Sequence, residues 1–327
     1  MVREITYSEA LREAIRQAML KDDKVIMIGE EIGQGYAGVF GVSKGLYDEF
    51  GPKRIIDTPI AENTIMGAAI GTSMLGLKPI MEVMFSDFIS VCFDGVLNQM
   101  SKMRFMTKGQ YSLNLVVRLP GGEGAGTGPQ HSQSLESLFM TIPGIKIVLP
   151  SNAYDAKGLL TTAISAGDPV LFFEHKKLYK TKCEVPEEEY SIPFGKAKIA
   201  KEGSDITIVA LSYMVSVALA AAEELKEKYG IDAEVVDPRT LVPLDIETIA
   251  ASVKKTSRLA IVEETYLRGG IGSEIGAIVS EKYMDFLDCP IKRIASKNVP
   301  IPMPASLKDE VIPDSNRVVK EIREMVC

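Results

Sequence analysis

The sequence predicts an α/β protein made of two parallel-sheet domains, and three observations carry that prediction. Continuously apolar runs of strand length alternate with helical segments, the pattern of strands covered by helices on both faces. The rhythm stops over residues 176–204, where "KKLYKTKCEVPEEEYSIPFGKAKIAKEGS" brings charges, two prolines and no sustained period. It then resumes as a second set. The expected boundaries are 1–175 for the first domain, 176–204 for the connection and 205–327 for the second domain. A length of 327 residues is enough for two cores.

Each element has its own signal. Thr6-Tyr7-Ser8-Glu9 resembles a capping box, and Tyr7, Ala10, Leu11, Ala14, Ile15, Ala18 and Met19 then recur at helical spacing. "VIMIG" (25–29) reads as a buried strand, followed by a loop carrying Gly33, Gly35, Gly38, Gly41 and Gly45. Further strands are expected at 54–57, 79–84, 113–118, 145–148 and 169–173, with helices near 62–76, 88–103, 134–140 and 153–166. In the second domain strands are expected at 206–211, 232–237, 258–263 and 290–294. Its helices fall near 215–228, 246–254, 271–284 and 315–326. "NVPIPMPAS" (298–306) reads as a proline-rich surface segment. No solenoid-period repeat or low-complexity tract interrupts the pattern.

Composition narrows the function. Hydrophobic and charged fractions of 46% and 25% are those of an ordinary globular protein. A net charge of −7, with no Lys/Arg block, argues against nucleic acid or an anionic membrane surface as partner. The start, "MVREITYSEALREAI", lacks a signal-peptide core, and no apolar run approaches membrane-spanning length. Cys92, Cys183, Cys289 and Cys327 are far apart, with no CxxC pair, so reduced thiols in a cytoplasm are expected. With only His131 and His175, a histidine-rich metal site is not expected.

Two polar features stand at the carboxyl ends of strands, where open parallel sheets bind ligands. In "DTPIAEN" (57–63), Glu62 sits at a strand-to-helix junction, at or near a helix N-terminus. It has two readings there: a cap that complements the helix dipole, or a functional carboxyl. The loop "RLPGGEGAGTGPQHSQS" (118–134) carries His131 directly after five glycines. Other motifs fail their context. Gly41-Val42-Ser43-Lys44-Gly45 matches the GxSxG nucleophile elbow in letters, but no strand precedes it. "GGIGSEIG" (269–276) lacks dinucleotide-loop spacing, and packing or backbone approach at a helix start explains it better. The glycines at 121–128 have no GK[ST] ending, which excludes a P-loop.

Seven segments together resemble one family: "DTPIAEN", "EVMFSDFISVCFDGVLNQMSKMR", "GPQHSQSLESLF", "PGIKIVLPSNAYDAKGLL", "DPVLFFEHKKLYK", "VVDPRTLVPLD" and "IVEETYLRGGIGSEI". The chain is similar throughout to β-subunits of the thiamine-diphosphate-dependent first component of 2-oxo acid and acetoin dehydrogenase complexes. "DAKGLL", "FFEHKKLY" and "EVPEEEYSIPFG" look most like the acetoin and bacterial pyruvate branches.

The resemblance implies a pyrimidine-binding domain followed by a transketolase C-terminal-type domain. It implies an α-subunit, in a heterotetramer of two α and two β, whose Gly-Asp-Gly…Asn motif holds magnesium and the diphosphate. This chain has no such motif; its Gly167-Asp168 pair runs into Pro169. The implied reaction decarboxylates a 2-oxo acid such as pyruvate, or cleaves acetoin, and passes the acyl group to a lipoyl-bearing acyltransferase core. Glu62 takes the family position of the carboxyl bonded to the cofactor's pyrimidine nitrogen, with burial among Ile60, Ala61 and Ile65 expected to raise its pKa. Phe88 matches the aromatic against the pyrimidine, and Val91 stands where some members have glutamine. His131 matches the active-site histidine, for proton transfer or substrate positioning. His175 is expected to be structural. In some members a potassium ion binds oxygens at positions matching Leu115, Ala163, Ile164, Ala166 and Asp168.

Overall fold

The computed structural model describes residues 2–124 and 126–326, so Cys327 lies outside the described residues. The chain divides into two compact units, one of residues 1–121 and 139–194, the other of 122–138 and 195–327.

The first unit opens with β1 (Val2–Thr6) and α1 (Tyr7–Lys21). The predicted capping box is present: Thr6 accepts from the Glu9 amide, and Glu9 accepts from the Thr6 amide. Then come β2 (Val25–Glu30), α2 (Leu46–Phe50), β3 (Ile55–Thr58), α3 (Glu62–Met74), β4 (Lys78–Glu82), α4 (Met103–Met106) and β5 (Val116–Gly121). Residues 122–138 belong to the second unit and hold most of α5 (Glu136–Phe139); the first unit then resumes with β6 (Lys146–Val148), α6 (Ala153–Ser165), β7 (Val170–His175) and β8 (Lys182–Pro186). Six strands of this unit run parallel in the order β6-β7-β5-β4-β2-β3. Their fully buried β2, β5 and β7 explain the unbroken apolar runs in the sequence.

Two stretches differ from the periodicity reading. The single helix expected near 88–103 is instead a 3₁₀ segment (Ser86–Cys92) followed by a π-helical one (Gly95–Met100). The run packs on α3, where a Cβ on Gly95 would stand 2.6 Å from Met66 Cγ. Residues 176–204, read as irregular, carry β8, which pairs antiparallel with β1 from Val2↔Pro186 to Thr6↔Lys182. Lys157 on α6 secures this region. Its buried ammonium reaches Glu13 Oε1 at 2.6 Å and the carbonyls of Pro186, Glu187 and Glu188 at 2.7–3.0 Å.

The second unit contains β9 (Lys198–Lys201), β10 (Ile206–Ala210), α7 (Met214–Tyr229), β11 (Ala233–Asp237), β12 (Thr240–Val242) and α8 (Ile246–Thr256). It continues through β13 (Leu259–Tyr266), α9 (Ile271–Tyr283), β14 (Lys292–Ser296), α10 (Ala305–Val311) and α11 (Ser315–Val326). Its sheet has the order β14-β13-β10-β11-β9, parallel except for β9 at the edge. The core here is aliphatic, with Ile208, Ala218, Leu225, Val235, Val262 and Val318 all fully buried. Among the described residues no helix is long and apolar enough to cross a membrane.

Candidate active site

The carboxyl ends of β2, β3 and β4 form one edge of the first sheet, and their register sets Glu30 opposite Thr58 and Gly29 opposite Glu82. The chain leaves β3 through Pro59 and turns at Ala61 (φ −163°, ψ 64°) into α3, of which Glu62 is the first residue. Asp57 fixes this turn by accepting from the Ile32 and Gly33 amides at 3.0 and 3.2 Å. A Cβ on Gly33 would lie 2.7 Å from that side chain, which is why glycine stands there.

Glu62 is buried, with 8% of its surface exposed, yet α3 has no side-chain cap bond. The cap position itself is Ala61, whose side chain makes no such bond, and Glu62 is the acidic residue of the first turn, where the helix dipole favours a carboxylate. Ile60, expected to help bury it, is 77% exposed; Ile65 and Met66 are the buried apolar residues of this turn. Beside Glu62 lies Glu30, which no sequence motif marks. Its Oε1 accepts from the Ala61 amide at 3.3 Å, and burial together with the charge of Glu62 raises its pKa. Cys92 feels the same field: burial first, then Glu62, push its thiol up to about 12. The edge thus holds two neighbouring carboxyls, arranged so that Glu30 keeps its proton more readily than an exposed glutamate. The available signal for Glu30 was a carboxylate ending an all-apolar strand, "VIMIGE".

Phe88 is half-buried in the 3₁₀ segment and packs edge-on against Phe85, with ring centroids 5.7 Å apart. Val91 at the neighbouring position is exposed. His131 belongs to the second unit, at the end of a short 3₁₀ turn, Pro129–His131. Its amide donates to Gly128 O at 3.3 Å, and Gly126 and Gly128 adopt left-handed φ of 63° and 84°. Glu264 ties down the base of this loop, accepting from the Glu123 amide at 2.6 Å and the Ser134 hydroxyl at 3.3 Å. Lys308 pairs with Glu123 at 2.7 Å. Nearby Glu136 is buried, and burial with the charges of Glu264 and Glu263 pushes its pKa up to about 8.

Of the remaining candidates, His175 is buried at the end of β7 and accepts from the Lys177 amide at 3.2 Å. Ser43 is buried among turns between Gly41 (φ 75°) and Gly45 (φ 80°), which is not a nucleophile elbow. Leu115 and Ala163 are fully buried and Ile164 nearly so, while Ala166 and Asp168 lie at the end of α6. Leu115 O accepts from Val170 N at 2.9 Å and Ala163 O from Ala166 N at 3.3 Å. Each carbonyl keeps a second lone pair, and carbonyls at a helix C-terminus suit a cation. Asp168 is engaged by Arg104 at 2.9 Å. No group of three or more His, Cys, Asp or Glu side chains that could hold a metal ion occurs among the described residues.

This architecture defines a transketolase-type chain. Residues 3–182 match the transketolase pyrimidine binding domain and residues 195–318 the transketolase C-terminal domain. A solved structure titled split gene transketolase, inactive beta4 tetramer, shares the fold, with a TM-score of 0.79 over 98% of both chains at 24% identity. More particularly, the chain belongs to the β-subunit family of acetoin and pyruvate dehydrogenases, a branch of the transketolase-type thiamine enzymes. It is 47% identical to the acetoin:2,6-dichlorophenolindophenol oxidoreductase subunit beta of Bacillus subtilis (strain 168), over 100% of this chain and 98% of that relative. It is 43% identical to the pyruvate dehydrogenase E1 component subunit beta of Rickettsia felis, over 99% and 98%. The 2-oxoisovalerate dehydrogenase subunit beta of Bacillus subtilis is 42% identical over 98% of both chains.

Proposed function

We propose that this chain is the β half of a thiamine-diphosphate-dependent dehydrogenase component. With an α-subunit, as two α and two β, it decarboxylates pyruvate or a related 2-oxo acid, or cleaves acetoin. The acyl group goes to the lipoyl group of an acyltransferase core. The observation that carries this reading is Glu62: a buried carboxyl in the first turn of α3, beside Glu30, at the ligand edge of a transketolase-type pyrimidine domain.

Bound thiamine diphosphate supplies a thiazolium carbon acidic enough to become a nucleophile toward the substrate carbonyl. Glu62 would hold a proton at the pyrimidine ring nitrogen, which would acidify the exocyclic amine and favour the imino tautomer that can act as the base. Glu30 keeps that charge from being duplicated, since two adjacent buried carboxylates repel. Phe88 offers one ring face to the pyrimidine. His131, half-buried on its loop, orients the substrate or moves a proton during acyl transfer. Magnesium and the diphosphate belong to the α-subunit, because this chain lacks the motif that would hold them.

A potassium ion at the oxygens of Leu115, Ala163, Ile164, Ala166 and Asp168 would draw on carbonyls of the last turn of α6, where the helix dipole favours a cation. Potassium added to a sodium-equilibrated complex should raise its melting temperature, and an unchanged melting temperature removes the ion. A cytoplasmic location fits the free thiols of Cys92, Cys183 and Cys289, and cell fractionation tests it. The decisive experiment assays the α/β complex with pyruvate, acetoin and branched-chain 2-oxo acids, using an artificial electron acceptor. Turnover of one of these supports the reading. Turnover of sugar phosphates alone, or activity indifferent to both Glu62→Gln and His131→Ala, would leave a different thiamine enzyme or a scaffold subunit in its place.

A further inference from the structure

Behind Phe88 runs a row of rings that ends on a buried ion cluster. Phe85, edge-on to Phe88, also meets Phe40 edge-on, at 5.7 Å and 82°. Lys176 Nζ stands over the Phe85 ring at 5.5 Å. Phe40 lies flat on Tyr179, with centroids 4.6 Å apart and planes 10° from parallel. Tyr179 packs edge-on against Tyr7 and donates its hydroxyl to Glu174 Oε2 at 2.6 Å. Arg118 grips Glu174 with two nitrogens, at 2.7 and 2.8 Å, and reaches Glu82 with its third. Burial and the charge of Glu174 push the Tyr179 pKa well up, so its hydroxyl stays a donor.

Phe40 sits on the glycine-rich loop, which has no regular structure to hold it. The loop is braced from two sides. Arg12 donates to the carbonyls of Gly41 and Val42 at 2.6 and 3.3 Å. Glu82 presses so close to Gly38 that a Cβ there would stand 2.5 Å from its Oε1. The ion cluster therefore meets the loop twice, at Gly38 through Glu82 and at Phe40 through Tyr179.

We propose that Phe40 and Tyr179 are positioning residues for Phe88. Their stacked pair, braced by Glu174, Arg118 and Glu82, fixes Phe85 and through it the plane of the ring that meets the cofactor's pyrimidine. This rests on the role given to Phe88 above. Ring contacts depend on offset and angle, and a ring that is loose before binding loses more freedom when the ligand arrives. Removing the brace weakens cofactor binding even though Phe88 itself remains.

The test is calorimetric titration of thiamine diphosphate, at saturating magnesium, into the assembled complex of this chain with its α-subunit. Phe88→Ala should raise the dissociation constant about tenfold, and Phe40→Ala about fivefold. Phe40→Tyr, which keeps the stack, should stay within about twofold of wild type, and Tyr179→Phe, which loses the bond to Glu174, should cost about threefold. The double variant Phe40→Ala/Phe88→Ala should bind no more weakly than Phe88→Ala alone, a coupling that general destabilisation does not produce. Should Phe40→Ala not assemble, Phe40→Leu keeps the volume without the flat stack and carries the same expectation. An unchanged constant in Phe88→Ala overturns the role of Phe88 itself. A response to Phe88→Ala without one to Phe40→Ala, or full additivity in the double variant, overturns the positioning role alone.

Discussion

Each unit places a buried glutamate where a strand of its parallel sheet gives way to a helix, and the two carboxyls meet opposite fates. In the second unit Glu263 projects from β13 toward the start of α9. It accepts from the Ile271 and Gly272 amides at 2.7 and 3.0 Å and from the Thr265 hydroxyl. Gly270 and Gly272 make the approach possible, since a Cβ on either would stand 2.7 Å from a Glu263 oxygen. In the first unit Glu62 is itself the first residue of α3, and the cap residue before it, Ala61, makes no side-chain cap bond. A strand-borne carboxyl faces the free amides of the next helix and is consumed by them. Glu62, at the first position of α3, stands beside such amides without a bond to them, whereas Glu9, at the third position of α1, reaches back to the Thr6 amide. Position relative to the helix start, more than burial, decides which glutamate is structural and which is available.

The largest effect should come from the available carboxyl. Glu62→Gln should lower turnover of the assembled α/β complex about 10²-fold or more while its melting temperature barely moves. Undiminished turnover would erase the distinction between the two junctions.

Glu136, near Glu263 in the second unit, should give the next largest. Its pKa rises from an ordinary 4.5 to about 8 on folding, so the folded state keeps a proton that the unfolded chain has lost. The associated stability is complete below pH 4.5 and is lost as pH rises through 8, a fall of a few kcal/mol. Glu136→Gln should flatten that fall and leave the variant more stable than wild type above pH 8, as read by urea unfolding across pH. A parallel pH dependence in both proteins would refute the assignment.

Gly272→Ala pushes a methyl group against Glu263 and should cost about 2 kcal/mol in chemical denaturation. Asn63→Ala, at the matching second position of α3, should change stability by less than about 0.5 kcal/mol. Equal costs at the two sites would mean that α3 has a hidden cap. An ordinary helix start should cost less than Gly272→Ala. Asn152 caps α6 by accepting from the Asp155 amide at 2.9 Å, and Asn152→Ala should cost about 1 kcal/mol with no change in cofactor affinity.

Much of this contrast was legible in the sequence. Glu62 could be placed at its junction because "RIID" ends as a strand and a small-residue helix begins within a few residues. The "GGIGSEIG" glycines could be read as a backbone approach at a helix start, and Glu263 is the group that approaches. What approaches was not legible, because nothing in eight residues names a partner on the preceding strand. Glu30 was missed for the same reason. It faces Glu62 only because β2 and β3 pair in one register, with Glu30 opposite Thr58.

By itself the sequence determined the alternation of the main parallel strands and their covering helices, the capping box at Thr6 and the doubled α/β plan, because local burial imprints its period on neighbouring residues. Only the tertiary structure decided that 182–186 would pair with β1, that β9 would run antiparallel and that 95–100 would wind as a π-helix against α3. It alone joined Arg118 to Glu82 and Glu174, 36 and 56 residues away, and set Phe40 on Tyr179. Such contacts depend on strand register and loop closure, which bring distant residues together without leaving any periodic mark along the chain.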